Sequence, residues 1–563
     1  MKLSSWFLRG STLSLFLGLG STIGIGFSNL AHDYELAGLL GVKIDDLEKL
    51  EPNDPSNPSD KFMTFSSSNV NPLIGLRTDM PLDHKNPKLG TYKHRYWVNE
   101  QSYKPGGPVF VFDVGEADGQ SYANYYLINR FSFFKQLVDK FEGIGIVFEH
   151  RQQRYYGQST PFPINKNTTA LEFQYLNNDQ ALADLPYFAK TFRRDAFPDQ
   201  DLTPKGTPWI MIGGSYAGMR AAFTRARYPD TIFAALSSSA PVQAQVDMSV
   251  YFDQVHRGLV HYGYGNCTKD IQAAYRYIDR QLERPNTAAK IKRLFLGDGA
   301  EKISNSDFTS ALVVTYASWQ GYGANDDLGE FCDWLETDPR TNRTAPSMGW
   351  AWLKGEKAMA ERFASWPRLA KLINSGYSTN CKGLDPETPV ACKIGGQAWD
   401  PTMISWTWQY CSEWGYYQWN NRGSKSMLSK YITREHWQNH CYRQFPDGLG
   451  SGHFPPLPKT RSVNYNTGGW YVRPSNVFFS GGEFDPWRSL SVLSTERFAP
   501  RGVKFSSNIP KCNTKTPSNE IFGYVIPGAQ HCYDFKTEFK PADVSRQLFI
   551  DALEKWLPCF KKR

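Results

Sequence analysis

The sequence predicts an α/β protein in which a mostly parallel sheet, covered by helices on both faces, is interrupted by a long helical insertion. Three observations predict it. Short apolar runs of strand length recur at Pro108-Val-Phe-Val-Phe112, Gly145-Ile-Val-Phe148, Ile210-Met-Ile212 and Ile232-Phe-Ala-Ala-Leu236. Such unalternating runs are expected of strands buried on both faces. A helical segment, Asp179 to Arg193, stands among them, with Leu182, Leu185, Phe188 and Phe192 at helical spacing. From about residue 247 to 472 the strand–helix beat stops. Trp and Tyr become frequent there, and helical stretches such as 271–282 and 358–365 take over. The beat resumes at Asn476-Val-Phe-Phe479 and Tyr524-Val-Ile526, and a last amphipathic helix is expected over about 541–557.

Taken in order, the chain opens with Lys2 and Arg9 and then an uncharged run to Ala31, with Leu13 to Leu19 as its apolar heart. That pattern predicts a signal peptide over residues 1–31, diluted in hydrophobicity by Gly18, Gly20, Gly24 and Gly26. Residues 32–75 are Pro-, Asn- and Ser-rich, notably from Glu51 to Ser59, and read as an extension or a removable propeptide. Tyr92 to Val98 reads as an edge-type strand. The expected organisation is therefore 76–246 as the first part of the α/β unit, 247–472 as the insertion and 473–563 as the second part. With 563 residues, 40% of them apolar, the chain can bury a large core. The net charge of +8 is spread along the sequence and no nucleic-acid motif is present, so a solvated surface is the expectation. No later segment has the composition of a membrane span.

All nine cysteines lie between Cys267 and Cys559, and none forms C-x-x-C. This excludes zinc-ribbon and thioredoxin-like motifs and suits an exported, disulfide-bonded product with at least one unpaired thiol. Sequons at Asn167, Asn266 and Asn342 are candidate glycosylation sites in such a product. His436 and His440 stand four apart, but Trp437 occupies the position where a zinc helix needs glutamate. No metal and no cofactor is expected.

The chemistry is concentrated in Trp209-Ile-Met-Ile-Gly-Gly-Ser-Tyr-Ala-Gly-Met-Arg220. A strand, a glycine-rich turn carrying Ser215 and a helix form the nucleophile elbow of α/β-hydrolases, with Ala217 in place of the last glycine of G-x-S-x-G. A serine hydroxyl needs a base, and the base needs an orienting carboxylate. In this fold both follow the nucleophile, on loops after later strands. Asp485, in Gly481-Gly-Glu-Phe-Asp-Pro-Trp487, and His531, in Pro527-Gly-Ala-Gln-His531, stand in those places. The rivals are His84, His150, His436, His440 and His453 for the base, and Glu483 and Asp534 for the acid. Oxyanion donors are expected from the N–H of Tyr216 and from Gly115 or Glu116 after the 108–112 strand.

With these residues placed, the chain resembles family S28 of serine peptidases, which includes Pro-Xaa carboxypeptidases, dipeptidyl peptidases and prolyl endoproteases. The resemblance rests on Leu82-Asp-His84 with Tyr96-Trp-Val-Asn99, Glu149-His-Arg151 with Arg154-Tyr-Tyr-Gly157, Asp179 to Asp184, Gly213 to Gly218 and Ser237 to Val242. Trp408-Gln-Tyr-Cys-Ser-Glu413, Asp485-Pro-Trp487 and Gly528-Ala-Gln-His531 complete it. It runs from about residue 78 to 557 and implies an α/β-hydrolase fold with a large, mainly helical lid of the SKS type between nucleophile and acid. It also implies a Ser215, Asp485 and His531 triad and cleavage after proline. Three departures stand out. Gln152-Gln-Arg154 reads as an insertion, Ala217 replaces a glycine, and Gly115-Glu-Ala-Asp118 stands where the family has G-N-E-G.

The expected activity is acyl-enzyme hydrolysis of peptide bonds, with proline-containing peptides as substrates. Trp408 and Trp487 are candidates for a proline slot and Glu413 for reading a charged terminus, their alternatives being lid core and a helix cap. A dipeptide-releasing aminopeptidase is the nearest alternative. A lipase or esterase, or a binding module on a decayed hydrolase, is a more distant one. The product is expected to be secreted, or else vacuolar or lysosomal, without stable membrane association or nucleic-acid partner, and as a candidate homodimer.

Overall fold

In a computed structural model, residues 25–47, 73–115, 119–148, 154–398 and 400–562 are described. The apolar heart of the expected leader, Glu116, and the Glu149-His150-Arg151 motif with Gln152 and Gln153 lie outside them.

The strands in chain order are β1 (Leu76–Pro81), β2 (Thr91–Asn99), β3 (Val109–Asp113), β4 (Ile144–Phe148), β5 (Trp209–Gly214) and β6 (Ala234–Ser238). They continue with β7 (Gln245–Asp247), β8 (Gly415–Tyr417), β9 (Val477–Gly482), β10 (Lys504–Ser506) and β11 (Glu520–Ile526). Five helices matter for the site: α1 (Ile25–Leu40), α2 (Asn178–Ala189), α3 (Ser215–Arg227), α4 (Pro401–Gln409) and α5 (Asp543–Trp556).

Nine strands form one sheet in the order β1-β2-β4-β3-β5-β6-β9-β11-β10. β1, β2 and β4 pair antiparallel at one edge, and every pair from β4 to β10 is parallel. β3 and β5 are buried along their whole apolar length, so their runs carry no alternation. α5 lays Phe549, Ala552, Leu553 and Trp556 against the sheet, at the three- and four-residue spacing of one helix face. This is an α/β-hydrolase fold. Its registers set Asp113 beside Gly213, Gly214 beside Ser238, Ser238 beside Ser480, and Gly482 beside Ile526. The carboxyl ends of β3, β5, β6, β9 and β11 therefore open at one end of the sheet, the usual place for a site in open α/β sheets.

Two strand expectations need adjustment. The apolar run 232–236 pointed to a strand two residues too early, and β1 and β10 were not expected. β6 runs on through Ser237 and Ser238 because their hydroxyls are satisfied inside, on Gly218 O and Asp534 Oδ1. A buried serine with a partner carries little penalty.

Between Tyr251 and Thr467 the regular elements of the described chain are helices, apart from β8, joined by loops such as 337–350 and 418–433. β7 and β8 pair in parallel and close this region back on its own start. Three disulfides lie within it, Cys267–Cys332, Cys381–Cys392 and Cys411–Cys441. Cys512, Cys532 and Cys559 are unpaired. The Cys512 thiol is pushed up to about 12 by burial and by the neighbouring Cys559. No described helix is long and apolar enough to cross a membrane. α1 spans residue 31, the expected end of the leader, and packs into the molecule with Leu30, Tyr34 and Ala37 fully buried.

Candidate active site

β5 runs into α3 with no intervening loop. The turn is possible only because Ser215 adopts φ 58, a left-handed conformation that costs a non-glycine residue free energy. The glycines answer to close backbone approach. A Cβ on Gly213 would stand 2.3 Å from Ala217 O, and one on Gly214 would stand 2.8 Å from Cys532 Sγ and the Phe535 ring. Gly214 thus lets the loop after β11 lie directly against the elbow.

That loop carries His531, and the loop after β9 carries Asp485. His531 Nδ1 lies 2.9 Å from Asp485 Oδ1, with both side chains buried. Asp485 Oδ1 also accepts the Trp487 N–H at 2.9 Å, capping the short helix that follows it. Burial works to depress the His531 pKa. Asp485 first, then Cys532 and Glu35, outweigh it and hold the imidazole well above its ordinary value. Ser215 and His531 line one cavity of about 60 Å³ with Phe112, Tyr126 and Phe535. No hydrogen bond joins them, and among the described residues His531 Nε2 has no hydrogen-bond partner. The charged atom beside it is Glu35 Oε1 of α1, at 3.7 Å.

Four of the seven rivals are engaged elsewhere. His84 pairs with Asp184 at 2.6 Å, in a buried cluster with Arg154. His436 meets Ser310 Oγ at 3.1 Å, and burial drops His436 to about 4 and His440 to about 3. His453 is exposed and His150 lies outside the described residues. Glu483 accepts the Gly528 N–H at 3.0 Å, and Asp534 takes the hydroxyls of Ser238 and Ser480. Both carboxylates brace the loops rather than the imidazole.

Asp113, the last residue of β3, pairs with Arg220 of α3 at 2.9 Å, both fully buried. Burial raises the Asp113 carboxyl and Arg220 opposes it. Its other oxygen accepts the Gly115 N–H at 3.1 Å. The Gly115 donor expected for an oxyanion is thus spent within its own loop, a correction to the sequence expectation. Tyr216 is in the first turn of α3, where N–H groups have no partner inside the helix. Its hydroxyl accepts from Gln409 Nε2 at 2.7 Å, and Gln409 Oε1 accepts from Tyr156 at 2.7 Å. This chain ties the elbow to α4 of the insertion.

The three pocket candidates part company. Trp487 lies beside the site, its ring centroid 6.4 Å from His531 and its Nε1 donating to Gln320 Oε1 at 2.8 Å. Trp408 does not line the cavity. It stacks on Phe173 at 5.4 Å, meets Phe445 edge-on and gives its N–H to Leu176 O. Glu413 accepts the Asn178 N–H at the start of α2, 2.8 Å away, and loss of water pushes its carboxyl up to about 7. It serves as a helix cap. Asn167 and Asn342 are exposed, and Asn266 is half-buried at the start of a helix. Glu35, Gln320, Phe535 and Lys536 carried no sequence signal. Among the described residues no group of three His, Cys, Asp or Glu side chains could hold a metal ion.

Comparison with known proteins gives the site a context. A family model described as serine carboxypeptidase S28 matches residues 80–500. A protein of Arthroderma benhamiae named "Probable extracellular serine carboxypeptidase" is 27% identical over 80% of this chain and 63% of its own length. The chain thus spans less than two thirds of that relative. "Serine protease vicPb" of Bipolaris victoriae is 25% identical, over 76% of this chain and 80% of that protein. The "Thymus-specific serine protease" of Mus musculus is 26% identical, over 86% and 87%.

Proposed function

Since the chain belongs to the serine carboxypeptidase S28 family, we propose that it is an exported serine peptidase that cuts on the carboxyl side of proline through an acyl-enzyme. The observation that carries this reading is Ser215, on a strained strand-to-helix turn, sharing a cavity with a histidine whose other nitrogen meets a buried carboxylate.

In the reaction Ser215 Oγ attacks the substrate carbonyl and passes its proton to His531 Nε2. His531 then gives that proton to the leaving amine, and water repeats the sequence to release the acid. Asp485 fixes the Nδ1–H tautomer and stabilises the imidazolium that forms. The Tyr216 N–H is one oxyanion donor. The Gly115 N–H is given to Asp113, and Glu116, the other expected donor, lies beyond the described residues. Phe112, Tyr126, Phe535 and Trp487 surround the reacting atoms with flat apolar surface, which suits a proline ring. The extracellular carboxypeptidase relative supports export. Glu413, a candidate for reading a charged terminus, accepts the Asn178 N–H as a helix cap instead.

The test is digestion of a peptide library by the wild type and by Ser215→Ala, with the chain intact and opened between residues 47 and 73, and mass-spectrometric mapping of the cuts. Cuts that follow proline and vanish in Ser215→Ala are expected. Cuts that persist in Ser215→Ala, or that ignore proline, contradict the reading.

A further inference from the structure

α1 carries two stripes. Phe27, Leu30, Tyr34 and Ala37 recur every three or four residues and are buried against the insertion. Phe27 lies 6.0 Å from Tyr251 and 5.9 Å from Phe252, and Tyr34 meets Tyr322 edge-on. The Tyr34 hydroxyl donates to Asp327, which also pairs with Arg368. Just past the helix, Asp45 bonds Arg368 at 2.8 Å and Lys371 at 3.0 Å. The second stripe, His32, Glu35 and Leu39, has the spacing i, i+3, i+7 and lines the cavity that holds Ser215 and His531. The helix is clamped into the insertion on one side and closes the cleft with the other.

Glu35 is the deepest part of that closure. Its Oε1 accepts from Gln320 Nε2 at 2.7 Å and stands 3.7 Å from His531 Nε2. The Gln320 amide is oriented by its surroundings. Trp487 Nε1 and the Tyr251 hydroxyl both donate to its oxygen, so its nitrogen must face Glu35. Lys536 adds a buried cation to the same wall, its Nζ held by Gly321 O against the Tyr533 ring. The Gln320 amide donates to Glu35, and the imidazolium form of His531 and the Lys536 ammonium add positive charge to the same wall, so a carboxylate suits the place.

Two magnitudes decide what this means. Reacting atoms must approach within about 3–3.5 Å, and a carboxylate 3.7 Å from Nε2 stands where a leaving amine has to be. Pockets for small ligands measure roughly 300–1,000 Å³, whereas about 60 Å³ is left here with α1 in place. No peptide fits beside it.

We propose that α1 is a built-in inhibitor of this active site, docked through Glu35 in a carboxylate-accepting subsite of Gln320, His531 and Lys536, and that turnover starts only when the segment 25–47 leaves. The proposal rests on the reading of Ser215 as nucleophile. Residues 48–72, rich in Pro, Asn and Ser, join this segment to β1, so one cut between 47 and 73 separates inhibitor from enzyme.

The test uses the full chain with a site for a sequence-specific protease inserted between residues 47 and 73. Hydrolysis of a proline-containing peptide and labelling of Ser215 by a fluorophosphonate are followed before the cut, after it, and after removal of the fragment. Both rates should rise at least tenfold. A synthetic peptide of residues 25–47 should restore inhibition in competition with substrate, and the same peptide with Glu35→Gln should bind more weakly. In the uncut chain Glu35→Lys should raise labelling with the thermal unfolding midpoint kept. Labelling and turnover that stay the same, or fall while the midpoint holds, overturn the proposal. Labelling that rises while no peptide is cut supports the inhibitor and sinks the peptidase reading instead.

Discussion

Asp485 and Glu35 present carboxylates to the same imidazole from two regions built on different terms. Asp485 sits on a loop after a central strand, fully buried, 2.9 Å from His531 Nδ1 and fixed by the Trp487 N–H. Glu35 sits on a helix near the start of the chain, its side chain 20% exposed and 3.7 Å from Nε2. In the proposed mechanism the first orients a base without occupying substrate space, while the second occupies that space. What a carboxylate does to a catalytic histidine therefore depends on which nitrogen it meets and on how firmly its own element is held.

The comparison can be broken at several points. The largest effects belong to the sheet side. Ser215→Ala and Asp485→Asn should each lower kcat/KM by about 10⁴-fold or more in the opened chain, measured on a proline-containing peptide. A loss below tenfold for Asp485→Asn would remove that carboxylate from the mechanism. Arg220→Met comes next. It leaves Asp113 buried without its ion-pair partner, a change that costs about 3–5 kcal/mol and should appear as a lower urea midpoint. A smaller loss is expected for Glu35→Gln, whose side chain is partly exposed.

A subtler effect separates the two carboxylates by pH. Asp485, Cys532 and Glu35 together outweigh burial and raise the His531 pKa above its unfolded value. Such a group gives stability that is fully present below the ordinary histidine pKa and is lost as pH rises through the folded value. α1 should therefore hold best in acid and loosen as pH rises, seen as faster fluorophosphonate labelling of the uncut chain. Glu35→Gln removes one of the groups that raise the pKa. The acid limb of fluorophosphonate labelling in the uncut variant should move to lower pH, and a limb that stays in place would contradict the contact. The smallest expected effect is that of Tyr34→Phe, which deletes one hydroxyl hydrogen bond to Asp327. Its value of about 1 kcal/mol should appear as a fewfold faster release of the 25–47 fragment after cutting.

The sequence was most readable where the physics is local. The short apolar runs at β3, β4, β5, β9 and β11 have the length and composition of buried strands, and the strand-glycine-serine-helix order marked the elbow. Asp485 and His531 could be placed because each follows a strand in a glycine-bearing loop, and the structure brings both to the end of the sheet that holds Ser215. Reading failed where a role depends on a partner distant in sequence. Trp408 and Glu413 sit in a motif, but Phe173, Leu176 and Asn178 determine what they touch. The Gly115 N–H is a separate case, since Asp113, two residues before it, turns back locally to take it. α1 was hidden for another reason. Its apolar residues merge with a leader-like run, and the partners of Glu35 lie near positions 320 and 531. β1 and β10 are short edge strands without a strong apolar signature.

The central claim is that Ser215, His531 and Asp485 work as one unit beneath a removable helix. The most direct measurement is peptide mapping of the opened chain after fluorophosphonate treatment. The label should lie on Ser215 alone, and its rate should collapse in His531→Ala. A label on another serine, or undiminished labelling of Ser215 in His531→Ala, would contradict the account.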